Sequence, residues 1–283
     1  MTANHISQSV TTALNEDLNS QSAEKGDITA HLIPKDKQAV ANIITREAAI
    51  FCGKAWVEEV FNQLGNTVDI IWCVKDGEEV AANTVLFTLS GPARALLTGE
   101  RCALNFIQTL SGIATATHTY ASLIKETECK LLDTRKTIPG LRLASKYAVL
   151  CGGGVNHRIG LFDAYLIKEN HIAACGGIKA AILTAKHEQP ECLIEVEVES
   201  LNELKQALEA GAKRIMLDNF SLAMMTEAVA LNKQSSPNQA ELEVSGDVTA
   251  ESILSFAKTG VDYISVGALT KHLKAIDLSM RFV

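Results

Sequence analysis

The sequence predicts an α/β protein with a small α+β unit at its N-terminus, followed by a longer region in which parallel strands alternate with helices. Two observations support this. Between residues 129 and 267, short apolar runs alternate with helical segments, and six of those runs finish in a polar residue. Residues 39 to 89 instead carry β-compatible runs with a turn signal between them. At 283 residues, the chain can form one large α/β domain or a small domain joined to a barrel of moderate size.

In the N-terminal part, A-V-A-N-I-I-T-R-E-A-A-I-F-C (39 to 52), V-D-I-I-W-C-V (68 to 74) and V-L-F-T-L (85 to 89) read as strands, with Asp76-Gly77 as a turn. From Leu96 to about Lys125 the spacing becomes helical, with Leu96, Leu97, Cys102, Phe106, Leu110 and Ile113 recurring every three or four residues. This helix is expected to link two domains. The apolar runs that follow are C-K-L-L-D (129 to 133), A-Y-L-I-K (164 to 168), L-I-E-V-E-V-E (193 to 199), R-I-M-L-D (214 to 218), L-E-V-S (242 to 245) and Y-I-S-V-G (263 to 267). Helical segments lie between them; L-N-E-L-K-Q-A-L-E-A-G (201 to 211) closes on the glycine that often caps a helix. Such a repeat makes either a doubly wound sheet or a barrel. Polar strand ends favour the barrel, where all the C-termini open onto one face, but six clear strands fall short of a complete one.

Composition narrows the partners. With 47% apolar and 21% charged residues, the chain has the balance of a globular protein. Its net charge of -7 argues against a nucleic-acid or acidic-membrane partner. No apolar run is long enough to span a bilayer, and M-T-A-N-H-I-S-Q-S-V lacks the basic and apolar regions of a signal peptide. A cytoplasmic location is expected. The seven cysteines are odd in number, scattered and never C-x-x-C, so reduced thiols are expected rather than disulfides or a zinc site.

Against that acidic background, cations at strand ends stand out. Arg135, Lys136, His157, Arg158 and Lys168 fall at or near the ends of two strands, and an arginine fork pairs with carboxylate or phosphate. A polyanionic ligand is expected. C-G-G-G-V-N-H-R (151 to 158) follows a helical segment rather than a strand, which excludes a dinucleotide fingerprint; its glycines read as a helix stop and tight turn before His157 and Arg158. Glu197 and Asp218 end successive strands and suit Mg²⁺ shared with substrate phosphates, although spacing alone does not separate Glu197 from Glu195 and Glu199. Ser245-Gly246 and Gly267-Ala268 end the last two strands, where many barrels bind phosphate. Together these groups suggest a phosphorylated sugar and a carboxylated co-substrate.

The run D-T-R-K-T-I-P-G-L-R (133 to 142) and the stretch K-Y-A-V-L-C-G-G-G-V-N-H-R-I-G-L-F-D-A-Y-L-I-K-E-N-H-I (146 to 172) resemble the quinolinate phosphoribosyltransferase family. So do G-E-R-C-A-L-N-F (99 to 106), E-V-E (195 to 197), M-L-D-N (216 to 219), E-V-S-G (243 to 246) and I-S-V-G-A-L-T (264 to 270), covering nearly the whole chain. The resemblance implies an N-terminal α/β sandwich domain with the interdomain helix (1–112), an incomplete seven-stranded α/β barrel (113–270), and C-terminal residues 271–283 packing back on the first domain. It implies transfer of phosphoribose from 5-phosphoribosyl 1-diphosphate to quinolinate with decarboxylation, giving nicotinate mononucleotide, CO2 and diphosphate for de novo NAD biosynthesis.

In that reading Arg135, His157, Arg158 and Lys168 grip quinolinate, with Thr134 beside them, and Arg101 reaches into the neighbouring subunit's pocket of a homodimer. Lys136, Glu197 and Asp218 serve phosphoribosyl diphosphate and its Mg²⁺; Ser245, Gly246 and Gly267 lie near the 5-phosphate. Lys136, Lys168, Glu197 and Asp218 are the expected catalytic residues, and no organic cofactor is required. Asp247 departs from the pattern, since some relatives carry a further glycine there. Two rivals are a Schiff-base lyase using Lys168 and a paralogous barrel that binds another phosphorylated or carboxylated ligand.

Overall fold

The computed structural model describes residues 2–283. Its strands are β1 (Gln38–Thr45), β2 (Ala49–Ile50), β3 (Asp69–Trp72), β4 (Glu79–Val80), β5 (Val85–Pro92), β6 (Lys130–Leu132), β7 (Ala164–Ile167), β8 (Leu193–Val198), β9 (Arg214–Asp218), β10 (Glu241–Ser245), β11 (Tyr263–Ser265) and β12 (Leu278–Phe282). The chain groups into two compact units. One comprises residues up to His118, Thr137–Gly153 and Leu269–Val283; the other comprises Thr119–Lys136 and Gly154–Ala268.

The first unit is built on an antiparallel sheet of order β12-β1-β5-β3, with β2 and β4 paired separately. Alternation makes the sheet one-sided: in β1, Ala41 and Ile43 are buried while Gln38 and Val40 are exposed. Trp56, Phe51, Phe61 and Phe87 fill the core, and helix Lys54–Gln63 contributes Trp56, Val57, Val60 and Phe61 to it. That helix has no cap from its own Gly53. Instead the carboxylate of Asp76 accepts from the backbone N–H groups of Gly53 (2.9 Å) and Lys54 (3.1 Å), so the expected Asp76-Gly77 turn also serves as a remote cap. Gly77 takes φ +84°, where an L side chain would be strained.

The interdomain helix extends over Ala93–Ile124, close to the predicted span. Within the first unit it carries the C-terminal segment: Gln108 carbonyl accepts from the Ile276 N–H at 3.1 Å, and β12 then pairs antiparallel with β1. Gly112 makes the close approach possible, because a Cβ there would sit 2.3 Å from the Lys274 carbonyl oxygen. Gly152, first of the glycine triplet, meets the same helix: its Cβ would lie 2.3 Å from the Ala114 carbonyl oxygen. Helix Arg142–Cys151 stops there, as the sequence predicts.

The second unit is a parallel sheet of order β6-β11-β10-β9-β8-β7. Its strands are apolar on both faces, as in β9, where Ile215, Met216 and Leu217 are all buried; helices such as Ile178–Glu188 and Leu201–Glu209 supply the cover. Beyond β6 the ladder continues as one parallel bridge, Leu132 to Val155. The seventh barrel position is thus a single residue rather than a strand, and six full strands are found among the described residues. Parallel pairing sets every strand's C-terminal end on one side.

A Gly112→Ala variant should lose about 1 to 3 kcal/mol of stability, the cost of overpacking against a backbone carbonyl. Urea denaturation followed by circular dichroism measures it; a midpoint equal to the parent's contradicts the close approach.

Candidate active site

A cavity of about 490 Å³ opens at the C-terminal ends of the second unit's strands. Thr134, Arg135 and Lys136 enter it from the segment after β6, and His157 and Arg158 from the segment after Val155. Lys168 follows β7, Glu197 lies on β8, and Asp218 and Ser245 end β9 and β10. Nine of the twelve sequence-predicted site residues therefore line one wall or another of this space. Arg101, Gly246 and Gly267 do not line it. Arg101 belongs to the first unit and is exposed on helix Ala93–Ile124.

The two glycines have structural explanations. A Cβ on Gly267 would lie 2.9 Å from Lys136 Cδ, so that glycine leaves room for the Lys136 stem. A Cβ on Gly246 would lie 2.1 Å from Asn219 Oδ1, and Gly246 itself has φ +102°. Asp247 has φ +41°, a left-handed backbone that aspartate tolerates better than most residues and glycine adopts freely. Its departure from the family pattern thus concerns a position where the backbone favours either.

The segment carrying His157 and Arg158 is fixed by a buried charge. Asp133, fully buried just past β6, accepts the His157 backbone N–H at 2.8 Å, while its own N–H donates to the Val155 carbonyl. The Arg158 N–H then donates to His157 Nδ1 at 2.8 Å. Across the ring, Nε2 lies 2.8 Å from Glu195 Oε2 and 3.4 Å from Glu243 Oε2. Both carboxylates are completely buried. His157 thus lines the cavity with both ring nitrogens turned to protein partners, which makes it a support for Arg158 rather than a free carboxylate donor.

Two of these groups, His157 and Glu195, have raised pKa values. Burial alone would lower the His157 pKa, but the hydrogen bonds and charges of Glu195 and Glu243 outweigh it and raise the value to about 9. Burial raises the Glu195 carboxyl to about 7; repulsion from Glu243 adds to the rise and His157 opposes it.

Above the trio the charge is reversed. Burial, and then the adjacent Arg135 guanidinium, push Arg158 below its ordinary pKa. Arg158 Nη1 reaches the Ala164 carbonyl at 3.2 Å, but Arg135 Nε is buried with no hydrogen-bond partner among the described residues. Two neighbouring guanidiniums with an unsatisfied donor form a site that an anion would stabilise. On the opposite strands, Lys168 Nζ is ion-paired with Glu197 Oε2, and Asp218 Oδ2 accepts from Asn219 at 2.9 Å. Glu199 is exposed beyond the end of β8, so the E-V-E-V-E ambiguity resolves into one deep residue, one at the cavity and one outside.

Leu166, Met216, Glu243 and Ser265 also line the cavity and were not among the predicted residues. The period-two alternation of strands could have identified Glu243, which precedes Ser245 by two residues on β10, as Glu195 precedes Glu197 on β8. Leu166 and Met216 are apolar strand residues with no comparable signal.

The sequence profile described as quinolinate phosphoribosyl transferase, N-terminal domain, matches residues 27–111, and that for the C-terminal domain matches residues 113–281. A probable nicotinate-nucleotide pyrophosphorylase (carboxylating) of Bacillus subtilis is 43% identical over 256 residues, covering 90% of this chain and 87% of that protein. Among solved structures, the nicotinate-nucleotide pyrophosphorylase of Francisella tularensis superposes with a TM-score of 0.94 at 50% identity, covering 100% of this chain and 98% of that one. The enzyme of the same name from Ehrlichia chaffeensis gives a TM-score of 0.90 at 37% identity, with 98% of each chain covered.

The His157 proton carries a pH signature. Its folded pKa of about 9 exceeds the ordinary 6.5, so the folded state binds the proton more tightly; the stabilisation is complete below about pH 6.5 and is lost as pH rises through 9. The urea midpoint should fall across that window, and the fall should flatten in His157→Gln. Equal slopes in the two proteins would show that His157 is not the group responsible.

Proposed function

Because this chain belongs to the quinolinate phosphoribosyltransferase family, and is a phosphoribosyltransferase that converts quinolinate with decarboxylation in de novo NAD biosynthesis, we propose that the 490 Å³ cavity is where it does so. The observation that carries this placement is that Arg135 and Arg158 line the same cavity, with the buried Arg135 Nε unsatisfied. Quinolinate, a dianion with carboxylates on adjacent ring carbons, supplies an acceptor for the Arg135 Nε and negative charge to offset the burial and repulsion that act on Arg158.

Arg135 and Arg158 hold the acid, Thr134 flanks them, and Lys168 completes the grip from the opposite wall. His157, locked by Glu195 and Glu243, fixes the angle at which Arg158 is presented. Lys136, Glu197 and Asp218 face phosphoribosyl diphosphate, and the turn after β10, with Ser245 and Gly246, lies with Gly267 near the 5-phosphate. So held, the pyridine nitrogen can attack C1 of the ribose in line with departing diphosphate, and alignment and fixed charge lower the barrier. The alkylated ring nitrogen then takes up the electron pair released as the 2-carboxylate leaves as CO2. The chain's residues need only keep ring and ribose aligned and exclude water during that loss; no organic cofactor takes part.

Glu197 and Asp218 fit a magnesium ion. They are two carboxylates on neighbouring strands, each with an oxygen engaged by a cationic or amide neighbour, and they do not form a closed cage. Such an open pair suits a metal that keeps its waters and draws most ligands from phosphates. Mg²⁺ bound there would neutralise the charge of the departing diphosphate.

Arg101, exposed on its helix, is assigned to the pocket of a second subunit in a homodimer, where it adds one more cation to the acid's surroundings. Seven free thiols and an acidic surface charge favour a reducing, cytoplasmic setting without nucleic-acid partners. Among the described residues, no helix is long and apolar enough to cross a membrane.

Arg158→Ala should weaken quinolinate capture by about 1.5 to 3 kcal/mol, roughly a 10- to 150-fold rise in KM, with KM for phosphoribosyl diphosphate little changed. Steady-state assays of nicotinate mononucleotide formation read both constants, and unchanged quinolinate kinetics reject the assignment. Mixing inactive Arg101→Ala with inactive Lys168→Ala subunits should restore activity, since one of the two sites in a mixed dimer carries neither lesion. Mixed dimers that form and stay dead rule out the shared site.

A further inference from the structure

Away from the cavity, the first unit holds a second cluster of reactive side chains. The Sγ atoms of Cys52 and Cys151 and a carboxylate oxygen of Asp76 all lie within 4.8 Å of one another. Cys52 is fully buried just after β2, and its backbone is pinned to Ser111: the Cys52 N–H donates to Ser111 Oγ at 2.9 Å, and that hydroxyl donates back to the Cys52 carbonyl at 3.2 Å. Cys151 is the last residue of helix Arg142–Cys151 and is only partly buried. The chain thus sets one enclosed thiol against one that solvent can reach.

A metal is a poor occupant for this cluster. Asp76 already accepts from Gly53 N–H, from Lys54 N–H and from the Tyr147 hydroxyl at 2.8 Å, so its oxygens are spent on capping a helix and holding a phenol. The two sulfurs are what remain. We propose that Cys52 and Cys151 form a peroxide-reactive dithiol that closes to an intramolecular disulfide. A small uncharged oxidant suits the site, because only Cys151 is reachable and the Asp76 carboxylate disfavours an anionic disulfide such as oxidised glutathione.

The two thiols take different roles. The hydrogen bond from Cys52 lowers the Cys151 pKa and outweighs burial and the Asp76 charge, while the same contact and burial raise Cys52 well above its ordinary value. The lowering is the more telling because Cys151 ends a helix, where the dipole opposes an anion. Cys151 therefore attacks. Its thiolate bonds to one peroxide oxygen, the O–O bond breaks, the departing hydroxide takes a proton to become water, and Cys151 is left as a sulfenic acid. The Cys52 thiol then attacks that sulfur, the S–S bond forms and a second water leaves. Two thiols are oxidised by two electrons and one hydrogen peroxide is reduced to two waters. A rotation of the Cys151 side chain has to bring the sulfurs to the roughly 2.05 Å of a disulfide.

The test is a peptide map of the whole protein after graded hydrogen peroxide, with Cys73 and Cys175, both exposed, as internal controls. A crosslinked peptide containing Cys52 and Cys151 should appear at doses that leave Cys73 and Cys175 mostly reduced, and dithiothreitol should remove it. In Cys52→Ser, Cys151 should instead be trapped by dimedone as a sulfenic acid. Cys52 and Cys151 both reduced at doses that oxidise Cys73 and Cys175, or Cys151 oxidised without the crosslink in the parent protein, overturns the proposal. The crosslink is read in the parent protein, so a poorly folding variant does not blunt the test.

Discussion

The buried carboxylate of Asp133 is the constraint on which the site depends. A charge removed from water must find hydrogen-bond donors, and Asp133, with none of its surface exposed, finds one in the backbone N–H of His157. That bond, with the Leu132–Val155 bridge beside it, ties the segment after the glycine triplet to the end of β6. His157 is then positioned over Glu195 and Glu243, and Arg158 is held through the His157 ring. The backbone links are hydrogen bonds that burial forces into defined partnerships, and the imidazole faces Glu195 and Glu243 at ionic distance, so the placement of the cationic wall follows from the buried groups around it.

The cavity accordingly has two layers of opposite sign. Below are Asp133, Glu195 and Glu243, all fully buried, with the imidazole among them; above are Arg135 and Arg158. Glu195 and Asp163 lend Arg158 a favourable field, but burial and the neighbouring Arg135 outweigh it and push the Arg158 pKa down. Lys168 and Glu197 neutralise one another on the far wall. An aromatic diacid entering this space meets fixed charge that needs no rearrangement, which is the condition under which electrostatics contributes most to a reaction that both forms and discharges a cationic ring.

Much of this was legible in the sequence because strands carry a strict two-residue alternation and parallel strands share a direction. Those two facts placed Arg135, Lys168, Glu197, Asp218 and Ser245 at one mouth from their positions alone. What stayed hidden has physical reasons. The seventh barrel position is only the Val155 bridge, too short for any periodic signal. His157 looked like a ligand grip because sequence cannot show that Arg158 N–H and two glutamates from β8 and β10 claim its ring. The steric need for glycine at 246 and 267, where a Cβ would meet Asn219 and Lys136, also leaves no trace in the sequence. The pairing of Cys52 with Cys151 spans about a third of the chain and leaves no spacing pattern at all.

A crystal structure of the protein with quinolinate bound tests the account most directly. The diacid should lie in the strand-end cavity with a carboxylate bridging Arg135 and Arg158, Arg135 Nε engaged, and His157 still turned down onto Glu195. Quinolinate seated elsewhere, or seated there with both guanidiniums pointing away from it, contradicts the claim that this buried scaffold exists to present them.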